Sequence, residues 1–381
     1  MTAEWLARSL LPQPGTDHVA ARELARRHAP GASVGEDGGE LREAWKRFAA
    51  HGLYRLTIPD AGLDVDAVLG TLEGLGEGTR DAGLLLGVGA HSFAAGAAIS
   101  RFGHEDQRRT LDLMRDGSVI AAFAASEPEA GSDVMSLRTR CVAVGPDYVL
   151  DGAKQFVTNA GLADYFVVFA TREPRLNWRG VTAFLVPRDT PGLSLGPRQR
   201  LIGLTSWPIG TVHLDSVTVP GSAMLGRPGQ GSSVFRHAML WERSLLPALT
   251  VGTMRRQLTE VIDATMTRDE PAGTNARHLD AVGPVTDIMS RYVLGRLLVR
   301  DTVTKLAAGT RTPGQASLTK LWISEAELAT SRDLAGTGTA TGLLACSPGA
   351  DDLFNAIGAT IYSGTSDMQR KIIAAELGIL E

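Results

Sequence analysis

Apolar residues recur every three or four positions through Ala20–His28, Glu40–His51 and Leu63–Glu77, a spacing that predicts amphipathic helices. Short breaks at Pro30-Gly31 and Pro59-Asp60-Ala61-Gly62 separate them. Gly83 to Phe102 is small and apolar almost throughout, which predicts a helix packed closely against a neighbour. From Ser118 to about Gly231 the texture changes to β-rich runs at Cys141–Val144, Tyr148–Leu150, Tyr165–Ala170 and Val181–Val186. Thr211 to Val219 alternates polar and apolar residues and stops at Pro220-Gly221. The helical period returns in Val234–Thr265, Val282–Ala308, Gln315–Leu334 and a last helix from about Ser366. Pro271–Ala276 and Thr337–Ala350 read as loops. The chain is therefore expected to be α+β and mostly α, with an N-terminal helical domain (1–117), a barrel-like sheet domain (118–232) and a C-terminal four-helix bundle (233–381).

Composition narrows the function classes. A chain of 381 residues with 44% hydrophobic and 21% charged residues is ordinary for a soluble globular enzyme. A net charge of −4 offers no bulk attraction to nucleic acid or to an anionic membrane. No apolar run of about 18 or more residues stands out, and the N-terminus has no signal-peptide pattern. Two cysteines, Cys141 and Cys346, are too few for a disulfide framework or a cysteine-rich metal site. The expectation is a cytoplasmic, metal-free protein. Forty-three glycines are many for a helical chain, so close backbone approaches should shape its site.

Four segments carry the chemistry. Near the C-terminus stands Ile361-Tyr362-Ser363-Gly364-Thr365-Ser366-Asp367-Met368-Gln369-Arg370, and upstream Ala125-Ser126-Glu127-Pro128-Glu129-Ala130-Gly131-Ser132-Asp133. The others are Lys154-Gln155-Phe156-Val157-Thr158-Asn159 and Trp241-Glu242-Arg243. Taken singly, each has a plain reading: a helix N-cap, a polar loop, an alternating strand, or a glutamate paired with a nearby arginine. In this order and spacing they resemble the acyl-CoA dehydrogenase family, over roughly Leu41 to Leu380. The resemblance implies that family's fold and an FAD-dependent α,β-dehydrogenation of an acyl thioester, with the α-proton removed by a carboxylate and hydride passed to flavin N5.

Residue by residue, the resemblance implies that Ser126, Gly131, Ser132, Phe156 and Thr158 hold the flavin. Phe156 would cover a ring face and Thr158 would face the N5 region. Thr365 and Asp367 would hold the far side, and Arg243, Tyr362 and Gly364 would line the substrate. The decisive departure is Ser363, which stands where many relatives carry the catalytic glutamate. A subset of the family places its base at the position matching Glu242, so either Glu242 takes the proton or it only pairs with a neighbouring arginine. Burial beside an acyl chain would raise such a carboxylate's proton affinity by desolvation. Oxyanion stabilisation by the Ser363 backbone N–H would survive the change of side chain.

Other departures concern the adenine half of FAD. The family's Arg-x-x-Phe-Gly becomes Arg268-Asp269-Glu270-Pro271-Ala272-Gly273, and Asp333 stands in the segment matching Gln-x-x-Gly-Gly. A carboxylate beside a pyrophosphate repels it unless it is paired or points away. The thioester would ride on CoA or on an acyl or aminoacyl carrier protein, because carrier-acting relatives also lack the tail glutamate. The basic loop from Arg172 to Arg179 could meet an acidic carrier helix or a CoA phosphate, or could be plain solvated surface. Electrons would leave to a flavoprotein or to oxygen, and a homodimer or homotetramer is expected. Two rivals stay open: a non-catalytic thioester-binding member of the family, and a flavin oxidase or oxygenase on the same fold.

Overall fold

The computed structural model describes residues 11–29, 38–58, 62–266, 276–337 and 348–380. The first helices are α1 (Thr16–His28), α2 (Gly38–Ala50), α3 (Leu53–Thr57) and α4 (Val65–Gly78). An apolar rod follows as α5 (Ala82–Gly89), a π-helical turn (Ala90–Gly96) and α6 (Ala97–Phe102), and then α7 (Glu105–Arg115). Eight strands come next: β1 (Ala121–Ala124), β2 (Arg140–Val144), β3 (Asp147–Thr158), β4 (Tyr165–Thr171), β5 (Val181–Pro187), β6 (Leu193–Leu195), β7 (Ile209–Pro220) and β8 (Met224–Leu225). The remainder is helical: α8 (Gly231–Met266), α9 (Ala276–Ala307), α10 (Pro313–Thr337), α11 (Pro348–Ala359) and α12 (Ser366–Glu376). The described C-terminal part thus holds three long helices and two short ones. α11 escapes the periodicity because Pro348-Gly349 and Asp351-Asp352 give its first turn the composition of a loop.

Packing groups the chain into two units, each built from separate stretches: Met1–Ala29, Asp64–Ala82 and Arg243–Glu381 in one, Pro30–Leu63 and Gly83–Glu242 in the other. The second unit contains the sheet, in the order β6-β7-β3-β2-β4-β5-β8, with β1 lying parallel to β4. Leu150, Val157, Phe166, Val168, Phe184, Val212 and Val217 fill its core. The rod from Ala82 to Phe102 is long and apolar enough to cross a membrane, contrary to the expectation that no such run exists. Its side chains are almost all buried, and Phe93, Ala95, Ala97, Ala98 and Ile99 are fully enclosed, so it is a core helix.

Two devices in this unit position the motifs. β3 carries one residue more than β7 between the pairs Lys154–Val212 and Val157–Gly210. The resulting bulge buries both Lys154 and Val157 and turns Phe156 outward at φ 55°. The second device is a buried carboxylate. Glu127 accepts from the Thr139 N–H at 3.0 Å, from the Arg138 N–H at 2.6 Å, from the Thr139 hydroxyl, and from Lys154 Nζ at 2.7 Å. Burial pulls the Lys154 ammonium down to about 8 even though Glu127 opposes that shift. With Lys154 fully buried, the pair is dry, and each partner depends on the other.

In the helical unit the closest approach is made by two glycines. A Cβ on Gly76 of α4 would stand 1.9 Å from the Leu249 carbonyl oxygen, and one on Gly252 of α8 would stand 2.0 Å from the Glu73 oxygen. Any larger residue at either place would force the helix backbones apart. One turn along, Glu77 meets His18 Nε2, Arg22 at 3.0 Å and Arg255 at 3.1 Å. Glu73 accepts from the Tyr292 hydroxyl at 2.6 Å and from Arg296 at 2.9 Å. α1, α4, α8 and α9 are thereby tied through two buried carboxylates.

Burial alone would raise the Glu77 carboxyl, but the His18 hydrogen bond and the Arg255 and Arg22 guanidinium groups outweigh it and bring it to about 2. A carboxylate with a depressed folded-state pKa contributes stability that is complete above its unfolded value and drains as pH falls toward the folded one. The urea midpoint is therefore expected to fall as pH drops from about 4.5 toward about 2, with Glu77→Gln flattening that part of the profile. A second expectation concerns the sheet: Lys154→Met strands the Glu127 charge and should cost about 3–5 kcal/mol in denaturant titration.

Candidate active site

The sheet unit gathers one set of motif residues. Ser126 follows β1, and its carbonyl accepts from the Gln155 N–H at 2.9 Å, which lashes the loop to β3 next to Phe156. Phe156 is 55% exposed, an unusual state for a phenyl ring on a strand with a packed core behind it. Half-buried hydroxyls flank it at Ser126 and Thr158, and neither takes part in an intrachain hydrogen bond among the described residues. Gly131 and Ser132 lie exposed in the same loop, and a Cβ at Gly131 would meet nothing within 4 Å. Behind the strand, Asn159 donates to the carbonyls of Gly87 and Ala121 at 3.1 Å each, and its own oxygen accepts from Trp207 Nε1 at 2.5 Å. An open aromatic platform edged by hydroxyl donors suits a flat, polar-edged ring system such as a flavin.

Glu242 ends this unit in the chain, on α8, and is 6% exposed. Pro247 lies within the same helix. It has no N–H for the Arg243 carbonyl, so the helical ladder opens at the turn that carries Glu242 and Arg243.

The helical unit gathers a second set around the turn before α12. Ser363 and Gly364 are both left-handed, at φ 57° and 96°. At Gly364 a Cβ would also stand 2.7 Å from Gln369 Nε2 and 3.1 Å from Arg243 Nη2, so only glycine fits. The turn is gripped from its carbonyl side. Ser363 O accepts from Arg243 Nε at 2.9 Å and from Gln369 Nε2 at 3.1 Å; Gly364 O accepts from Gln369 Nε2 and Lys320 Nζ, both at 2.8 Å. Fixing two carbonyls fixes the peptide planes, and with them the directions of the adjoining N–H groups. Thr365 caps α12, its hydroxyl oxygen accepting from the Met368 N–H at 3.3 Å and keeping its own proton to donate.

Other motif residues fall elsewhere. Arg243 is engaged with the backbone of the turn, a positioning contact that the sequence does not specify. Tyr362 is half-buried just ahead of Ser363. Asp367 is exposed and paired with Arg370 at 3.0 Å in the first turn of α12, where a carboxylate favours the helix dipole. Arg268 lies outside the described residues. Asp333 is paired with Arg291 at 2.7 Å, so its charge is compensated within the chain. Four contributors carried no assigned role at the level of sequence: Glu127, Lys154, Gln369 and Lys320. The first three stand inside the quoted motifs, whereas Lys320 sits on a helix with nothing in the local pattern to mark it.

Residues 122–217 match the acyl-CoA dehydrogenase middle domain, and residues 229–378 match the acyl-CoA dehydrogenase C-terminal domain. An L-prolyl-[peptidyl-carrier protein] dehydrogenase of Pseudomonas fluorescens is 37% identical over 87% of this chain and 89% of its own length. The crystal structure of the prolyl acyl carrier protein oxidase AnaB superposes with a TM-score of 0.87 at 30% identity, covering 96% of this chain and 99% of that one. PigA with FAD and proline superposes at 0.84 with 28% identity, over 96% of this chain and 99% of its own. With both halves of its sequence signature carried on this fold, the chain belongs to the acyl-CoA dehydrogenase family.

Proposed function

We propose that this protein is an FAD-dependent dehydrogenase that removes the α- and β-hydrogens of a carrier-bound acyl thioester, with Glu242 as the base. The observation that carries the assignment of the base is the tail turn: its side chain at 363 is a serine, which has no useful basicity, while a buried carboxylate stands at 242 beside the arginine that grips that turn. The relatives that act on prolyl carrier proteins, together with PigA bound to FAD and proline, support a carrier-borne aminoacyl group and make L-prolyl the first to test.

FAD, when bound, supplies the hydride acceptor. Phe156 would stack on the ring, Ser126 and Thr158 would donate to its polar edge, and Gly131 would admit the loop backbone close to the phosphates, with Ser132 beside it. Glu242 takes the α-proton from the thioester. The Ser363 N–H stabilises the negative charge that develops on the carbonyl oxygen as that proton leaves. Electrons then pass to a flavoprotein or to oxygen. α9 carries Leu294 and Leu297 exposed three residues apart, hence on one face, which supports a homodimer or homotetramer.

Glu242→Gln keeps size and hydrogen bonding but cannot accept the proton. Anaerobic bleaching of the flavin by prolyl carrier protein is expected to slow by about 100-fold or more at unchanged flavin content. Ser363→Ala should cost far less, since its N–H remains. Fast bleaching by Glu242→Gln together with a dead Ser363→Ala would overturn the assignment. Sedimentation velocity is expected to show a dimer or tetramer; a monomer that retains its flavin would refute the oligomer.

A further inference from the structure

The loop between β4 and β5 is exposed at every residue from Arg172 to Arg179. Its base is closed by the Arg172 N–H donating to Gly180 O at 3.1 Å, and its core is a short 3-10 segment, Pro174–Arg179. Three arginines stand against one glutamate, whose carboxylate accepts from the Arg175 N–H at 3.2 Å. Between the arginines, Leu176 and Trp178 are 48% and 47% exposed, and the Arg179 guanidinium lies 5.0 Å from the Trp178 ring centre. Exposed tryptophan and leucine ringed by arginine is the composition of an interface centre, and an unusual one for free surface.

The position of the loop matters as much as its make-up. The 3-10 segment packs against the turn Val134–Ser136, which directly follows Ser132 and Asp133. The Thr171 N–H also donates to Thr139 O at 2.8 Å, just beyond that turn. The loop is therefore fastened to the stretch of chain that carries Ser132, at the cofactor-side half of the candidate site. A single phosphate of CoA would occupy one or two of these arginines and leave Leu176 and Trp178 in water. A protein helix with acidic side chains around an apolar contact would use all five.

We infer that the 172–179 loop is the docking surface for the acidic helix of a carrier domain that presents the acyl group on its phosphopantetheine arm. The inference rests on the thioester-dehydrogenase reading above and adds to it where the partner binds. Arg172, Arg175 and Arg179 steer the carrier by charge, and Leu176 and Trp178 supply the desolvated contact that holds it.

The test compares L-prolyl thioester on a phosphopantetheinylated acidic carrier domain with L-prolyl-pantetheine, using the flavin-loaded enzyme. Replacing all three arginines with Ala is expected to raise KM for the carrier substrate about tenfold or more and to flatten its dependence on salt. Trp178→Ala is expected to raise the same KM with the salt dependence intact. Turnover of prolyl-pantetheine should stay within about twofold in both variants, which also certifies folding and flavin content. Unchanged carrier KM in both variants would overturn the docking surface while leaving the dehydrogenase reading standing. With L-prolyl-CoA as a third substrate, a loss in the variants confined to it would overturn the docking surface in favour of a phosphate site. Absence of turnover of either substrate by the unmodified enzyme would overturn both readings.

Discussion

A buried carboxylate is stable only where donors converge on it, and Glu127 fixes the sheet half of this protein by that requirement. Its two oxygens gather two backbone N–H groups, a hydroxyl and an ammonium drawn from two separate stretches of chain. The loop holding Ser126 and Ser132 is thereby bound to β3, the strand whose bulge lifts Phe156 into the open. Had the carboxylate been absent, the Lys154 ammonium would be buried without a counter-charge, and the loop would be held to the strand by the Ser126–Gln155 bond and the longer Lys154–Ala125 one. The aromatic platform and the hydroxyls around it stand on a loop and a strand joined by a buried ion pair.

The helical half follows a different logic, in which backbone contacts replace charges at the tightest point. Gly76 and Gly252 let α4 and α8 touch main chain to main chain, and the carboxylates of Glu73 and Glu77 then tie in the surrounding helices. α8 reaches from its open turn at Glu242 and Arg243 through that crossing. The direction of the helix, and so the placement of the Arg243 guanidinium on the Ser363 carbonyl, is set by two residues that have no side chain.

Much of this was legible in the sequence wherever a signal is periodic or local. The long helices announce themselves by their three-and-four spacing, and β4 and β5 by their runs of Val, Phe and Ala. β1 does not, because Ala121–Ala124 contains no β-branched residue and gains its pairing only from β4 beside it. The motif residues around Ser126, Phe156 and Ser363 were visible as a set, yet their mechanical roles were not. A lysine such as Lys320 reads as solvated surface until a carbonyl far along the chain is found on its ammonium. The glycine crossing is equally silent, since neither glycine differs in its local context from the forty-one others.

The turn at Ser363 and Gly364 has a consequence for how such a site tolerates change. The grips from Arg243, Gln369 and Lys320 reach the carbonyls of Ser363 and Gly364. The turn is thus held through main-chain groups that any residue at 363 would also present. A turn built this way can change its side chain at 363 without rebuilding its main-chain geometry.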